Sequence, residues 1–276
     1  VKSIVVATDM SPRSDRALER ALFLATQHGA RLHVVSVVDD ALPEDMVNQL
    51  RESVSERLEA YLSRQPGKAL TTITVLAGDP VEQVNAFAID KEADLVVMGL
   101  HRARRLFDQL RETTSERIAA ASLAPVLIAR NMVEGDYAAA VALVSFSDAC
   151  AAALRAAASI APKATMTSFH AMLVPFAGLT GESHVSEMAQ AVRRETEAKR
   201  DAWLAKSAVP GAYAPPEIVT GSVTQALHDK IASITPDLLV LGTHTRGFAL
   251  HRLGGFAADL LREPPTDLLL SPPSVR

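Results

Sequence analysis

One pattern in this chain occurs twice, and no other feature limits its fold as much. Residues 94–130 read DLVVMGLHRARRLFDQLRETTSERIAAASLAPVLIAR, and residues 237–271 read DLLVLGTHTRGFALHRLGGFAADLLREPPTDLLLS. Gly242 follows Gly99 by 143 residues. Each copy opens with an apolar run, 95–98 or 238–241, too short for anything but a buried strand. A glycine ends the run. A polar loop follows, then a helix start, then a second aliphatic strand at 125–129 or 268–270. This layout turns backbone N–H groups and the positive end of a helix towards an anion. A chain of 276 residues that carries the unit twice is expected to form two domains, each with its own core.

The residues ahead of each copy extend the pattern. A strand at 4–8 ends at Asp9. Ser11 as N-cap and Pro12 at the first helical position open a helix. Ala17, Leu18, Ala21, Leu22 and Ala25 recur at helical spacing, and Gly29 suits the position after the helix end. Next come a strand at 31–38 and a helix from Pro43 to about Arg64, with Met46, Leu50, Val54, Leu58 and Leu62 on one face. A strand at 71–76 follows, then a Gly78-Asp79-Pro80 turn into a helix ending near Lys91. The stretch NMVEGDY, 131–137, has the composition of a linker. It separates a first domain, 1–131, from a second, 138–276. The second repeats the order: strands at 140–144, 165–173, 217–220, 238–241 and 268–270, and helices at 148–160, 182–207, 223–234 and 257–262. It adds an insertion at 174–179 and a longer, charged helix at 182–207. Alternating strands and helices predict an α/β fold with an open, mostly parallel sheet covered on both faces.

Composition narrows the function. A net charge of −4 argues against nucleic acid or an anionic membrane as the main partner. A single cysteine, Cys150, excludes an internal disulfide framework and fits a reducing compartment. No apolar run reaches the ~18–20 residues of a membrane span. The first residues lead straight into a strand without a signal-like segment. These features predict a soluble, cytoplasmic protein.

Val5-Val6-Ala7-Thr8-Asp9-Met10-Ser11, Gly78-Asp79-Pro80, Asp94–Gly99, Thr113-Thr114-Ser115-Glu116-Arg117 and Ala124-Pro125-Val126-Leu127-Ile128 together resemble a universal stress protein domain. In the second half the matching pieces are 237–244 and Gly254-Gly255. The chain as a whole looks like a tandem universal stress protein. The resemblance implies two Rossmann-like, open, parallel five-stranded sheets of strand order 3-2-1-4-5, related by a pseudo-two-fold axis through their last strands. It also implies that some members bind ATP or a related adenine nucleotide such as AMP, while others bind none. The positions implied for the nucleotide are Asp9, Val38, Gly99, Arg102, Thr113 and Thr114 in the first half, and Gly242 and Gly255 in the second. The binding members carry a loop of three spaced glycines closed by a Ser or Thr. Here the first copy gives Gly99, Arg102, Glu112 and Thr113, and the second gives Gly242, Thr245, Gly255 and Phe256. Ser145 stands where Asp9 does. Neither copy keeps the whole motif, and Glu112 adds a negative charge where phosphate would lie.

Each candidate has two readings. Gly99 and Gly242 either end a strand or let a ligand approach. Thr113 with Glu116 reads as a capping box, which needs no phosphate. Arg102, Arg104 and Arg105 either hold an anion through charge-assisted hydrogen bonds or form a solvated loop. Asp9 is the best single site candidate, although Asp is also a common turn residue. His101 and His244 lack partners at metal-ligand spacing, so no metal is expected. Cys150 reads as a small buried hydrophobe, and Phe176 as strand-end packing or a pocket wall. No nucleophile elbow, intact P-loop or HExxH motif is present, so no catalytic residues are expected. The sequence therefore points to a non-enzymatic stress-response protein that senses an adenine nucleotide or small anion through degenerate sites. The alternative is a nucleotide-independent scaffold for protein partners. The strands at 125–129 and 268–270 would be uncharged sheet edges, which are aggregation hazards. Pairing them antiparallel removes both edges. The result is a monomer with an internal pseudo-dimer, or a homodimer built on the helix at 182–207 with Met188, Val192 and Trp203 as anchors.

Overall fold

The computed structural model describes residues 1–65, 69–100, 112–174, 182–243 and 253–274. The first half contains β1 (Ser3–Ala7), α1 (Pro12–His28), β2 (Arg31–Val38), α2 (Glu44–Leu62), β3 (Thr71–Ala77), α3 (Pro80–Asp90), β4 (Leu95–Gly99), α4 (Thr114–Ala121) and β5 (Val126–Ala129). The second half contains β6 (Ala139–Leu143), α5 (Asp148–Ile160), β7 (Thr165–Met172), α6 (Glu182–Lys206), β8 (Glu217–Thr220), α7 (Val223–Ile234), β9 (Leu238–Gly242), α8 (Gly255–Arg262) and β10 (Asp267–Ser271). The helix starts follow from side chains that satisfy otherwise unpaired N–H groups. Ser11, Asp79, Thr113, Ser147 and Ser222 each accept a hydrogen bond from the first turn of the helix they precede.

Within each half the strands run parallel in the order expected for the family resemblance. The halves join into one ten-stranded sheet, β3-β2-β1-β4-β5-β10-β9-β6-β7-β8. The seam is antiparallel, with Ile128 opposite Leu268, Leu127 opposite Leu269 and Val126 opposite Leu270. Each uncharged edge strand thus becomes the other's partner. The central strands are buried on both faces, so they read as continuous aliphatic runs. One face packs under α1, α2, α5 and the C-terminal part of α6; the other packs under α3, α4, α7 and α8.

Three features depart from the sequence reading. In α2 the buried residues are Val47, Val54 and Leu58, while Met46 and Leu50 are exposed. The apolar stripe is therefore rotated from the one drawn through Met46 and Leu50. Trp203 is no surface anchor of α6: it is 7% exposed, and its indole Nε1 donates to the Ser147 carbonyl at 3.0 Å. The linker is part of the interface. Asp267, fully buried, accepts from the N–H groups of Arg130 and Asn131, both at 2.8 Å, and from the Tyr137 hydroxyl at 2.6 Å. Arg20 of α1 lies beside it, Nε to Oδ2 at 3.4 Å, with its guanidinium 4.3 Å from the Tyr137 ring centroid. Arg20 also donates to the Gly135 carbonyl at 3.0 Å.

Candidate functional site

β1 pairs with β2 on one side and β4 on the other, so strand order reverses between β1 and β4. Ligands of open α/β sheets bind outside the C-terminal strand ends at such a point. Asp9 follows β1 and Gly99 ends β4, so both flank this crevice. Asp9 is exposed, and its Oδ1 accepts from the Ser11 N–H at 3.0 Å. Partial burial pushes the carboxyl pKa up. The Ser11 hydroxyl and backbone, aided by Ser14, outweigh that and hold it below the usual carboxylate value. The carboxylate is therefore charged at neutral pH. Met10 beside it has a φ of 57°, which turns the chain sharply into α1. Val38 ends β2 with its side chain in the core, and its carbonyl accepts from the Gly78 N–H at 3.1 Å.

Gly99 has a demand of its own. A Cβ there would stand 2.5 Å from the Arg13 carbonyl oxygen and 2.9 Å from Ser14 Cα. The strand end and the first turn of α1 are too close for any other residue. Thr113 is the N-cap of α4 in a full capping box: its Oγ1 accepts from the Glu116 N–H at 3.1 Å, and Glu116 Oε2 accepts from the Thr113 N–H at 2.6 Å. Thr114 is the first residue of α4. Glu116 is 2% exposed, and its Oε1 lies 2.7 Å from Arg262 Nε of α8. A carboxylate from the chain itself thus sits at the α4 N-terminus, the place an anion would take. Arg102, Arg104, Arg105, His101, Phe176, His244 and Thr245 lie outside the described residues.

The second half repeats the backbone and changes the side chains. Phe146 matches Met10, with a φ of 56°. A Cβ on Gly242 would stand 2.5 Å from the Cys150 N, as Gly99 would against α1. Ser145 replaces Asp9, and its N–H points at Cys150 Sγ, 3.3 Å away. Cys150 is buried, as a small hydrophobe would be. His170 stacks on Phe146 with ring centroids 4.4 Å apart, and Phe146 lies 5.8 Å from Trp203. His170 Nδ1 lies 2.7 Å from the Val144 carbonyl oxygen, which it can reach only as a donor. Thr243 is buried, and its Oγ1 has no hydrogen-bond partner among the described residues. The α8 register differs from the one a constant repeat offset gives. The Ala258 N–H bonds to the Gly254 carbonyl as the Arg117 N–H bonds to that of Thr113, so Gly254, not Phe256, occupies the capping position. A Cβ on Gly254 or Gly255 would meet open space, and no side chain caps α8.

The universal stress protein family model matches residues 1–130 and again 137–272. This chain belongs to the universal stress protein family. One half is 33% identical over 138 residues to a universal stress protein of Thermus aquaticus, covering 47% of this chain and 98% of that one. Another relative, YxiE of Bacillus subtilis, is 26% identical over 144 residues, covering 46% and 97%. Each of these relatives is the size of one half. Along the whole chain the fold matches a universal stress protein from Archaeoglobus fulgidus, with a TM-score of 0.68 at 17% identity, covering 98% of this chain and 96% of that one. Protein PA1789 of Pseudomonas aeruginosa, described as functionally unknown, has a TM-score of 0.67 at 16% identity, covering 99% and 93%.

Cavities also open elsewhere among the described residues of this tandem universal stress fold. One, about 280 Å³, lies between α4 and α8 and is lined by Glu116, Gly255, Asp259 and Arg262. Another, about 250 Å³, lies near the start of β4 and is lined by α5 and the residues after β10. Sequence reasoning missed the reach of Glu116 to Arg262, the Phe146–His170–Trp203 stack and the buried Asp267. The i,i+3 capping signal pointed to Glu116, but nothing local indicated its second partner. No helix among the described residues is long and apolar enough to cross a membrane.

Proposed function

We propose that this universal stress protein is a non-enzymatic stress-response protein that senses an adenine nucleotide, ATP or AMP, or a small anion through its first half. The observation that carries this is the asymmetry of the two crevices. Asp9 stands charged and exposed beside the strand-order reversal, whereas its counterpart Ser145 adjoins Phe146, which is stacked with His170. Asp9 would meet the base or ribose side, with Arg102 and its neighbouring arginines facing phosphate. Affinity is lower than in relatives with the intact loop, because Thr113 and the α4 N-terminus already hold Glu116. Isothermal titration with ATP and AMP tests this, alongside melting curves, since a ligand of the native state raises the Tm. Asp9→Ala and Arg102→Ala should each weaken binding, and Phe256→Ser should leave it unchanged. Phosphate release on prolonged incubation with ATP would overturn the non-enzymatic reading.

One observation favours a second reading, a scaffold that acts through protein partners without nucleotide. Gly99 and Thr113 are both accounted for by internal packing. No heat and no melting shift at millimolar ATP and AMP would establish the scaffold in place of the sensor.

A further inference from the structure

Arg13, Arg16 and Arg20 follow one another at helical spacing on one face of α1. Two of them are taken by the seam between the halves. Arg16 donates to the Arg130 carbonyl, just past β5. Arg20 donates to the Gly135 carbonyl and lies against Asp267. These contacts direct this face of α1 towards β5 and β10. Arg13 is the member of the row nearest the start of the helix. It is exposed, and among the described residues no carboxylate or carbonyl takes it up.

Its backbone fixes where it stands. The Arg13 carbonyl oxygen and carbon are the atoms that leave no room for a Cβ on Gly99, at 2.5 and 2.8 Å. Arg13 therefore flanks the crevice on its β4 side, as Asp9 does on its β1 side. The two charges are not spent on each other, because Asp9 Oδ1 accepts from the Ser11 N–H and no ion pair joins it to Arg13. The second half has the same backbone without the row. The serine N-caps Ser11 and Ser147 set the registers, so Arg13, Arg16 and Arg20 correspond to Ala149, Ala152 and Ala156. The Ala149 carbonyl oxygen would stand 2.9 Å from a Cβ on Gly242, so the contact to the strand-end glycine survives without a guanidinium. The seam accounts for Arg16 and Arg20, and neither the seam nor the glycine contact accounts for Arg13. At the same end of the sheet, Arg117 lies 3.8 Å from Asp79 and Arg130 donates to the Pro265 carbonyl. An anion entering beside the carboxylates of Asp9 and Glu116 is repelled unless a free cation meets it.

We infer that Arg13 is the residue that selects a phosphate-bearing ligand in the first-half crevice. Its planar guanidinium meets the phosphate from the α1 side by charge-assisted, bidentate hydrogen bonds, while Asp9 holds the base or ribose side. This assignment rests on the nucleotide reading and adds to it a phosphate partner carried on a helix. The second half, with Ala149 and Ser145, has neither charge.

Isothermal titration of the full chain with AMP and ATP at two salt concentrations tests this. Arg13→Gln should lower the affinity about tenfold and make binding less dependent on salt, with the Tm of the ligand-free protein unchanged. Arg13→Lys keeps the charge and should recover most of the loss. Arg16→Gln, the next position in the row, should leave the affinity as it is. Wild-type affinity in Arg13→Gln would overturn the inference and leave the nucleotide sensor standing. So would a loss of affinity with undiminished salt dependence, because Arg13 would then act through the fold and not on the phosphate. No binding of either nucleotide to the wild type would remove the nucleotide reading itself, and the assignment of Arg13 with it.

Discussion

At the residue scale, glycines that look alike in the sequence have opposite roles. Gly99 is held against the backbone of α1, where an added Cβ has nowhere to go. Gly99→Ala should therefore destabilise the protein by about 1–3 kcal/mol, the usual cost of overpacking. Gly255 opens α8 into empty space, so Gly255→Ala should stabilise it by about 0.4–1 kcal/mol by restricting the unfolded chain. Urea titration of both variants checks the pair, and equal effects would remove the packing explanation for Gly99. The tyrosines give a pH dependence. Burial, then the Asp267 charge, pushes the Tyr137 hydroxyl well above its ordinary value. Burial, then Asp15 and Glu19, raises Tyr61 to about 12, and burial raises Tyr213. A raised folded pKa means the native state keeps a proton that the unfolded chain gives up. The stabilisation is complete below the unfolded tyrosine pKa of about 10 and is lost as pH climbs towards the folded values. Stability measured from pH 8 upward should decline above about pH 10, and Tyr137→Phe should make the decline shallower. An unchanged slope in Tyr137→Phe would show that Tyr137 is not responsible.

At the element scale, the segment read as a linker is a structural joint. Arg20 from α1 and Asp267 at the start of β10 are both buried, with side-chain exposures of 5% and 0%. Removing one partner leaves a buried charge, so Arg20→Ala should cost about 3 kcal/mol, the lower end for breaking such a pair because Asp267 keeps its other donors. A double-mutant cycle with Asp267→Asn isolates the coupling, and additive effects would mean that the two do not interact. The strands, the edge pairing and helix starts at Ser11, Thr113 and Ser147 were legible because they rest on aliphatic runs and on caps a few residues long, whereas the strand order came only from the family resemblance. The joint was not, because Arg20, Tyr137 and Asp267 are far apart in sequence and each looks like an ordinary surface residue. The α2 face was misread because Met46 and Val47 offer two neighbouring stripes, and only the sheet beneath selects one. At the candidate site, Asp9 and the Thr113 capping box were readable, being local. That Gly99 serves α1 depends on a contact between residues 13 and 99, which no local pattern reveals.

At the scale of the whole molecule, connections of three different chemistries among the described residues hold the halves together. The β5–β10 ladder supplies backbone hydrogen bonds and a Leu127–Leu269 pair with both residues fully buried. The Asp267 cluster supplies a buried polar network, and Glu116–Arg262 supplies an ion pair between α4 and α8. Separating the halves would expose two aliphatic edges at once, so neither half has a folded intermediate in which its own edge is satisfied. Trp203, the strongest apolar anchor of α6, is spent on Phe146 and the Ser147 carbonyl, leaving the described part of that helix, 187–206, a mostly polar outer surface. The chain should therefore be a monomer at micromolar concentration by light scattering. It should also melt in one transition whose calorimetric and van't Hoff enthalpies agree, the mark of a single cooperative unit. Leu127→Lys places an unpaired charge in the seam, where burial without a partner is costly. That variant should lose this agreement or self-associate through the exposed edges, while a charge at the exposed Leu123, off the seam, should change neither property. Two separated transitions in the wild type would mean that the ten-stranded sheet is two independent sheets in contact, and the seam would then carry little of the stability assigned to it.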